Sequence, residues 1–325
     1  MTPFQLPDLT PAAPWSRLAA LPTRPDEFSF VLLSDRTGMA QPGVFERAVE
    51  ITNLLRPDFA IQVGDTIEGY TRDPGELDRQ WKEFDEITDG LQVPLFRVPG
   101  NHDVGNVLMR DEWLARHGAL HYHFRYRDVL FLVLDTQDPP QALAQLLRPG
   151  NGATSPLPEP LAALVGDGDL DEQDLIAQVQ QLLARDPAAL RELMRAIKDG
   201  TQPANISDDQ LEHLIAVAAE HDDVRWTVLL MHMPVWQGDG HPGFDRLRAA
   251  LGPRPYTAFA GHCHNYRRST LAGRDHIRLG STGGVRLLDT PEGNFDHISW
   301  VTMTDAGPQI ANLVLDGVLG PDGGR

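Results

Sequence analysis

Apolar and polar positions divide the chain into a strand–helix alternation at its start and short strands at its end. FSFVLLSD (28–35) is an apolar run closing on polar residues, the pattern of a strand buried on both faces. From Val44 to Leu55 the period changes to that of a helix, with Phe45, Ala48, Val49 and Thr52 on one face. PDFAIQVGD (57–65) predicts a second strand running into a Gly-Asp turn, residues 76–88 a helix, and VPLFRVPGNHD (93–103) a third strand ending in a loop. A helix is expected near 107–117, then a pair of strands, LHYHFRY and VLFLVLDT, joined at Arg127-Asp128. Residues 225–232 and 255–260 predict two more buried strands. Shorter pieces at 266–271, 276–281, 297–303 and 309–314, separated by Gly, Pro and Asp, are read as a second sheet packed face to face with the first.

Two stretches break this rhythm. Residues 1–27 are rich in proline and form a lead-in segment ahead of a domain spanning 28–325. Residues 138–205 begin Pro- and Gly-rich and then show two helical patterns. They read as a helical insertion, whose sharper roles would be a lid or a dimerisation arm joining a homo-oligomer. A further helix should start at Ser207, paired with Gln210 as a capping box. Asp167, Asp169 and Asp171 imitate the start of a calcium loop, but the sixth and twelfth positions are Glu172 and Gln178, so an acidic helix entry is the better reading.

Composition narrows the class. At 325 residues with 41% hydrophobic and 23% charged residues, the chain can bury a core without disulfides, and its one cysteine, Cys263, allows none internally. No run reaches the length of a membrane span, and the N-terminus lacks the basic start and apolar stretch of a signal peptide, so a cytoplasmic location is expected. Lys and Arg number 28 against 46 Asp and Glu, a formal charge of -18. That field repels phosphate backbones, so neither nucleic acid nor membrane is expected as a partner.

The chemistry sits where strands end. SDRTG (34–38), GDTIE (64–68), PGNHD (99–103), LLMHMP (229–234) and GHCH (261–264) each follow a predicted strand. If those strands share one sheet, one sheet edge gathers carboxylates, an amide and imidazoles around a point. Mixed oxygen and nitrogen donors suit Mn, Fe or Zn better than Ca or Mg. Taken singly, Asp35 could be a helix cap, Asp65 a turn residue, and His232, His262 and His264 core or surface histidines; the ordered set is harder to account for in that way.

The series Asp35, Gly64-Asp65, Gly100-Asn101-His102-Asp103, His232 and Gly261-His262-Cys263-His264 resembles the calcineurin-like metallophosphoesterases, which include the purple acid phosphatases. The resemblance implies an α/β fold, a four-layer α/β/β/α sandwich of two mixed sheets flanked by helices. It also implies metal-dependent hydrolysis of a phosphomonoester or phosphodiester, by a metal-bridging hydroxide at a binuclear centre. Carried over, Asp65 bridges two divalent or trivalent ions; Asn101, His232 and His262 complete one site, and Asp35 and His264 serve the other. His102 would be catalytic and Asp103 would orient its ring. The family's Asp-x-His is here Asp35-Arg36-Thr37, so one imidazole ligand is missing. Glu68 stands where purple acid phosphatases place a tyrosine ligand; it is expected to restore the donor lost with the missing imidazole, favouring Mn or Fe over Zn, the alternative being a solvated residue on a loop. Arg36 would reach a small substrate's phosphate or pair with a carboxylate such as Glu68. The alternative function is a degenerate scaffold or binding module of the same fold.

Overall fold

The computed structural model describes residues 4–7, 12–16, 27–140, 204–238, 240–286, 292–315 and 317–319. Three strands form a parallel core: β3 (Phe28–Leu33), β4 (Phe59–Val63) and β5 (Leu95–Val98). Helix α1 (Val44–Leu55) joins the first pair and α2 (Pro74–Thr88) the second. After β5 come the single turn α3 (Asn101–Val104) and α4 (Val107–His117), then the antiparallel hairpin β6 (Tyr122–Tyr126) and β7 (Val129–Val133). Beyond the insertion lie α5 (Asp208–Glu220), β8 (Trp226–Leu230), α6 (Pro242–Leu251) and β9 (Tyr256–Ala260). The chain closes with β10 (Arg267–Leu271), β11 (Arg274–Arg278), β12 (His297–Thr304), β13 (Gly307–Val314) and β14 (Gly317–Leu319).

The sheets are not divided as the sequence order suggests. Strands β3, β4 and β5 share a sheet with the C-terminal β12, β13 and β14, because β12 pairs antiparallel with β3. The other sheet runs β6-β7-β8-β9-β11-β10, with β7, β8, β9 and β11 parallel. Packing explains the split. Phe28, Phe30 and Leu32 alternate with Val31 and Leu33 along β3, so each face needs its own cover. The inward face meets Tyr122, Phe124, Phe131, Val133 and Leu230 from the other sheet, with Phe124 and Phe131 stacked at 4.5 Å. The outward face meets Phe45, Ala48, Trp81 and Phe84 of α1 and α2. A third core joins Leu132, Leu229 and Ala258 to Leu211, Leu214 and Leu247 of α5 and α6. Three apolar layers between four structural ones give the α/β/β/α sandwich.

The N-terminal segment is more than a lead-in. Its β1 (Phe4–Gln5) pairs with β6 and its β2 (Trp15–Ser16) with β5, adding an edge strand to each sheet. Ser207 caps α5 through the Gln210 N–H, but the return half of the capping box is absent. The Gln210 amide instead pairs with the main chain of Asp135, at 2.9 and 3.0 Å. Residues 141–203, with the expected insertion helices, the lid or arm and the acidic Asp167–Asp171 run, lie outside the described residues. The flanks of that stretch meet in a bridge between Gln137 and Asn205, beside the strand end that carries His232, where Met233 N–H bonds Thr136 Oγ1.

Candidate metal centre

The candidate ligands come from both sheets. Asp35 and Asp65 follow β3 and β4, His232 follows β8, and His262 and His264 follow β9. All four of these strands end at the same rim of the sandwich, so the gathering point is the seam between sheets rather than the edge of one. Sharp turns deliver the side chains there: Asp35, Asp65, His262 and His264 all have left-handed φ, between 50° and 70°. Such backbone is uncommon outside glycine and is held where surrounding contacts over-determine it. At Gly261 a Cβ would stand 2.4 Å from Asp35 Oδ2, so only glycine lets this loop approach the carboxylate.

Ligand atoms of Asp65, His232 and His262 lie within 4.8 Å of one another, as do those of Asp35, Asp65 and His264. The two groups share Asp65, and all five residues are buried. His232 Nδ1–H donates to the Val63 carbonyl at 2.9 Å and His264 Nδ1–H to the Val285 carbonyl at 2.5 Å. Each Nε2 then faces a carboxylate, His232 at 3.0 Å from Asp65 and His264 at 3.2 Å from Asp35. Despite the short distances neither Nε2 has hydrogen-bond geometry to a partner. A lone pair opposite a carboxylate is the donor arrangement that a metal cation satisfies. The local field favours positive charge at this point, whether a metal ion or, in its stead, a proton on the ring. Burial opposes a charged His232, but the Asp65 and Asp35 carboxylates outweigh it and raise its pKa to about 9. Burial pushes the Asp35 carboxyl up, yet His264 and His232 hold it below the usual range.

Asn101 joins the first group, its Oδ1 lying 2.9 Å from His262 Nδ1. Its Nδ2 donates to the Tyr70 hydroxyl at 2.9 Å, which aims the oxygen at the site. The ring of Tyr70 also packs edge-on against His102 at 4.8 Å. Motif spacing does not reveal Tyr70, because it lies five residues past Asp65; the only signal in the sequence is an aromatic in a polar loop. Tyr70→Phe is expected to weaken metal binding at the Asn101 site by ~10–100-fold, read by metal titration. Unchanged affinity would remove Tyr70 from this role.

His102 stands at the rim, half-buried, with Nδ1–H donating to the Glu68 carbonyl at 2.7 Å. That bond fixes the tautomer and leaves Nε2 for a substrate. Its backbone N–H reaches Asp65 Oδ1 at 3.1 Å.

Three expected roles are not met. Glu68 does not replace the missing imidazole: its side chain is exposed and its carboxylate accepts from the N–H groups of Met39 and Ala40, at 3.1 and 2.8 Å. It pins the loop after Asp35 instead of ligating. Arg36 turns away from the centre. It donates to the Thr66 carbonyl and to Glu83, at 3.1 and 2.5 Å, and lies over the rings of Phe45 and Phe84. Asp103 does not orient the His102 ring. Its carboxylate accepts from the N–H groups of Thr66 and Gly100, both at 2.8 Å, tying the loops after β4 and β5 together. Burial, and then Asp65, raise its pKa to about 7 against those donors.

The sequence family described as calcineurin-like phosphoesterase matches residues 28–266. A serine/threonine-protein phosphatase CPPED1 from Bos taurus is 36% identical over 106 residues, covering 28% of this chain and 31% of that protein. Its counterpart from Pongo abelii is 33% identical over 99 residues, with the same coverage of 28% and 31%. The chain therefore spans about a third of the length of the curated relatives it matches. Among solved structures, a dimetal phosphatase from Danio rerio is similar with a TM-score of 0.55 at 17% identity, over 90% of this chain and 98% of that one. A purple acid phosphatase from yellow lupin seeds gives 0.54 at 13% identity, over 90% and 52%. At such identities these likenesses bear on the fold.

Proposed function

The chain belongs to the calcineurin-like phosphoesterase family, and from that premise we propose that it hydrolyses a small phosphate ester at the seam between its sheets. The observation that carries this reading is the pair of buried ligand groups sharing Asp65, with His102 at the rim above them. Asp65, Asn101, His232 and His262 would hold one ion, and Asp35, Asp65 and His264 the other. When bound, two such cations offset the charge of a phosphate and acidify a water. The second group offers only three protein donors, one of them shared, which leaves room for substrate oxygen. Two carboxylates, three imidazoles and an amide suit Mn, Fe and Zn alike; the preference for Mn or Fe rested on Glu68 and lapses with it.

His102 supplies the proton chemistry. With Nδ1–H committed to the Glu68 carbonyl, Nε2 is the atom that accepts a proton from solvent and, in the imidazolium so formed, gives it to a leaving oxygen. The Val63 and Val285 carbonyls keep His232 and His264 in the ligand tautomer. The net charge of -18 favours a small substrate over nucleic acid. No helix among the described residues is long and apolar enough to cross a membrane. The names of the CPPED1 relatives make phosphoserine and phosphothreonine peptides substrates to try.

The test is a panel of p-nitrophenyl phosphate, bis-p-nitrophenyl phosphate and a phosphoserine peptide, assayed after chelation and again after adding Mn²⁺, Fe²⁺ or Zn²⁺. Turnover should vanish on chelation and return with metal. Full metal occupancy with no turnover of any ester would instead favour a non-catalytic binding module.

A further inference from the structure

We propose that His121, His123 and His213 form a separate binding site for a zinc-like divalent cation, in the groove between α5 and β6. It shares no residue with the paired centre. His123 follows Tyr122, whose ring is buried in the core between the sheets, so alternation turns it to the opposite face of β6, and His121, just ahead of the strand, turns its ring to the same side. Across that face lies α5, and the ring of His213 stands 5.7 Å from His121 and 6.1 Å from His123, centroid to centroid. His221 adds a fourth ring 5.5 Å from His123.

These spacings are close to those of shared ligands. With Zn–N of ~2.0–2.1 Å and a ring centre ~1 Å beyond the donor, two imidazoles on one tetrahedral ion stand ~5 Å apart. The donor nitrogens of the three rings do not yet lie within 4.8 Å of one another, as those of the paired centre do, so an ion here would draw the rings together by side-chain rotation. His123 Nδ1 is buried and has no hydrogen-bond partner, an uncommon condition for a ring nitrogen that a cation would relieve.

The rings hold the protonation state that a ligand needs. Burial first, and then the neighbouring imidazoles, lower His121 and bring His123 to about 4, so both offer lone pairs at neutral pH. Arg110, which acts on His121, is offset by Asp135 and Asp138 at 2.7 and 3.2 Å, and Arg125, two residues along β6 from His123, by Asp223 at 2.7 Å. A donor set of imidazoles selects Zn²⁺, Ni²⁺ or Cu²⁺ over Mg²⁺ and Ca²⁺. His121 just ahead of β6, His123 on it and His213 on the covering α5 present three such rings from two neighbouring elements.

The test counts Zn²⁺ bound by the full chain after chelation and re-equilibration with Zn²⁺ alone. His213 is exposed, so His213→Gln leaves the fold intact, and it should bind about one equivalent less than wild type with phosphate-ester turnover unchanged. His123→Gln should lose the same equivalent. Asp65→Ala should keep it, which separates this site from the paired centre whatever the fate of the phosphoesterase reading. Equal zinc content in wild type, His213→Gln and His123→Gln would overturn the proposal.

Discussion

Asp65→Ala is expected to cost the protein both ions of the paired centre and its turnover. Asp65 is the one residue common to both ligand groups, it is fully buried, and its Oδ2 lies 3.0 Å from His232 Nε2. Two cations held close together repel, so removing the anion between them weakens both sites at once. The loss should exceed ~10³-fold in turnover, equivalent to more than ~4 kcal/mol of transition-state stabilisation. Elemental analysis should find less than full occupancy at both positions. His102 should also loosen, since its backbone N–H donates to Asp65 Oδ1 at 3.1 Å. An Asp65→Ala protein that retains two metals and wild-type turnover would remove the phosphoesterase site from this seam.

The site's members were legible because the chemistry constrains them tightly. One Asp, Asn or His at a strand end can be a cap or a turn residue, but five such strand ends in a fixed order, set among glycines and prolines, do not arise from caps and turns alone. Elements were legible through an equally local constraint: α1 occupies Val44–Leu55, as its periodicity predicts, and the hairpin turns at Arg127 and Asp128. Sheet membership was not legible. β3 to β5 and β7 to β9 are equally apolar, and nothing local to β12 states that its Ser299–Met303 stretch pairs with Phe28–Leu32 of β3. Long-range pairing is decided by which faces need cover, and that information is spread over the chain.

The misread side chains share a cause. Glu68 and Arg36 lie close in sequence to ligands, but the direction of a side chain depends on the turn. Glu68 precedes Gly69, whose φ of 62° turns the chain so that a Cβ there would stand 1.7 Å from the His102 carbonyl oxygen. That close approach spends the Glu68 main chain on His102 and leaves its side chain facing Met39 and Ala40. Arg36 follows Asp35, whose own φ of 51° throws neighbouring side chains to different sides. The arginine enters the helix layer, where Glu83 neutralises it. Tyr70 takes the place beside the site that motif spacing gives to Glu68, though it acts through Asn101 rather than as a ligand in its own right.

His102→Ala should separate proton chemistry from metal binding. His102 belongs to neither ligand group, and its ring is fixed by a bond to the Glu68 carbonyl. Because that acceptor is main chain, altering the Glu68 side chain does not remove it. The alanine variant should keep its metals and lose ~10²–10⁴-fold in turnover, the range for a positioned general acid or base. The size of the loss should depend on the ester. The alkoxide expelled from an alkyl phosphate is strongly basic and needs a proton delivered by the imidazolium at Nε2, whereas p-nitrophenolate leaves readily without one. The deficit should therefore be large for alkyl esters and shrink for p-nitrophenyl phosphate. The wild-type rate should vary little with leaving-group pKa, and the variant's rate should fall steeply as that pKa rises. An equal loss for both esters would assign His102 to binding the phosphoryl group. Loss of metal from the variant would make it a ligand, and the acid would then have to be sought elsewhere on the rim.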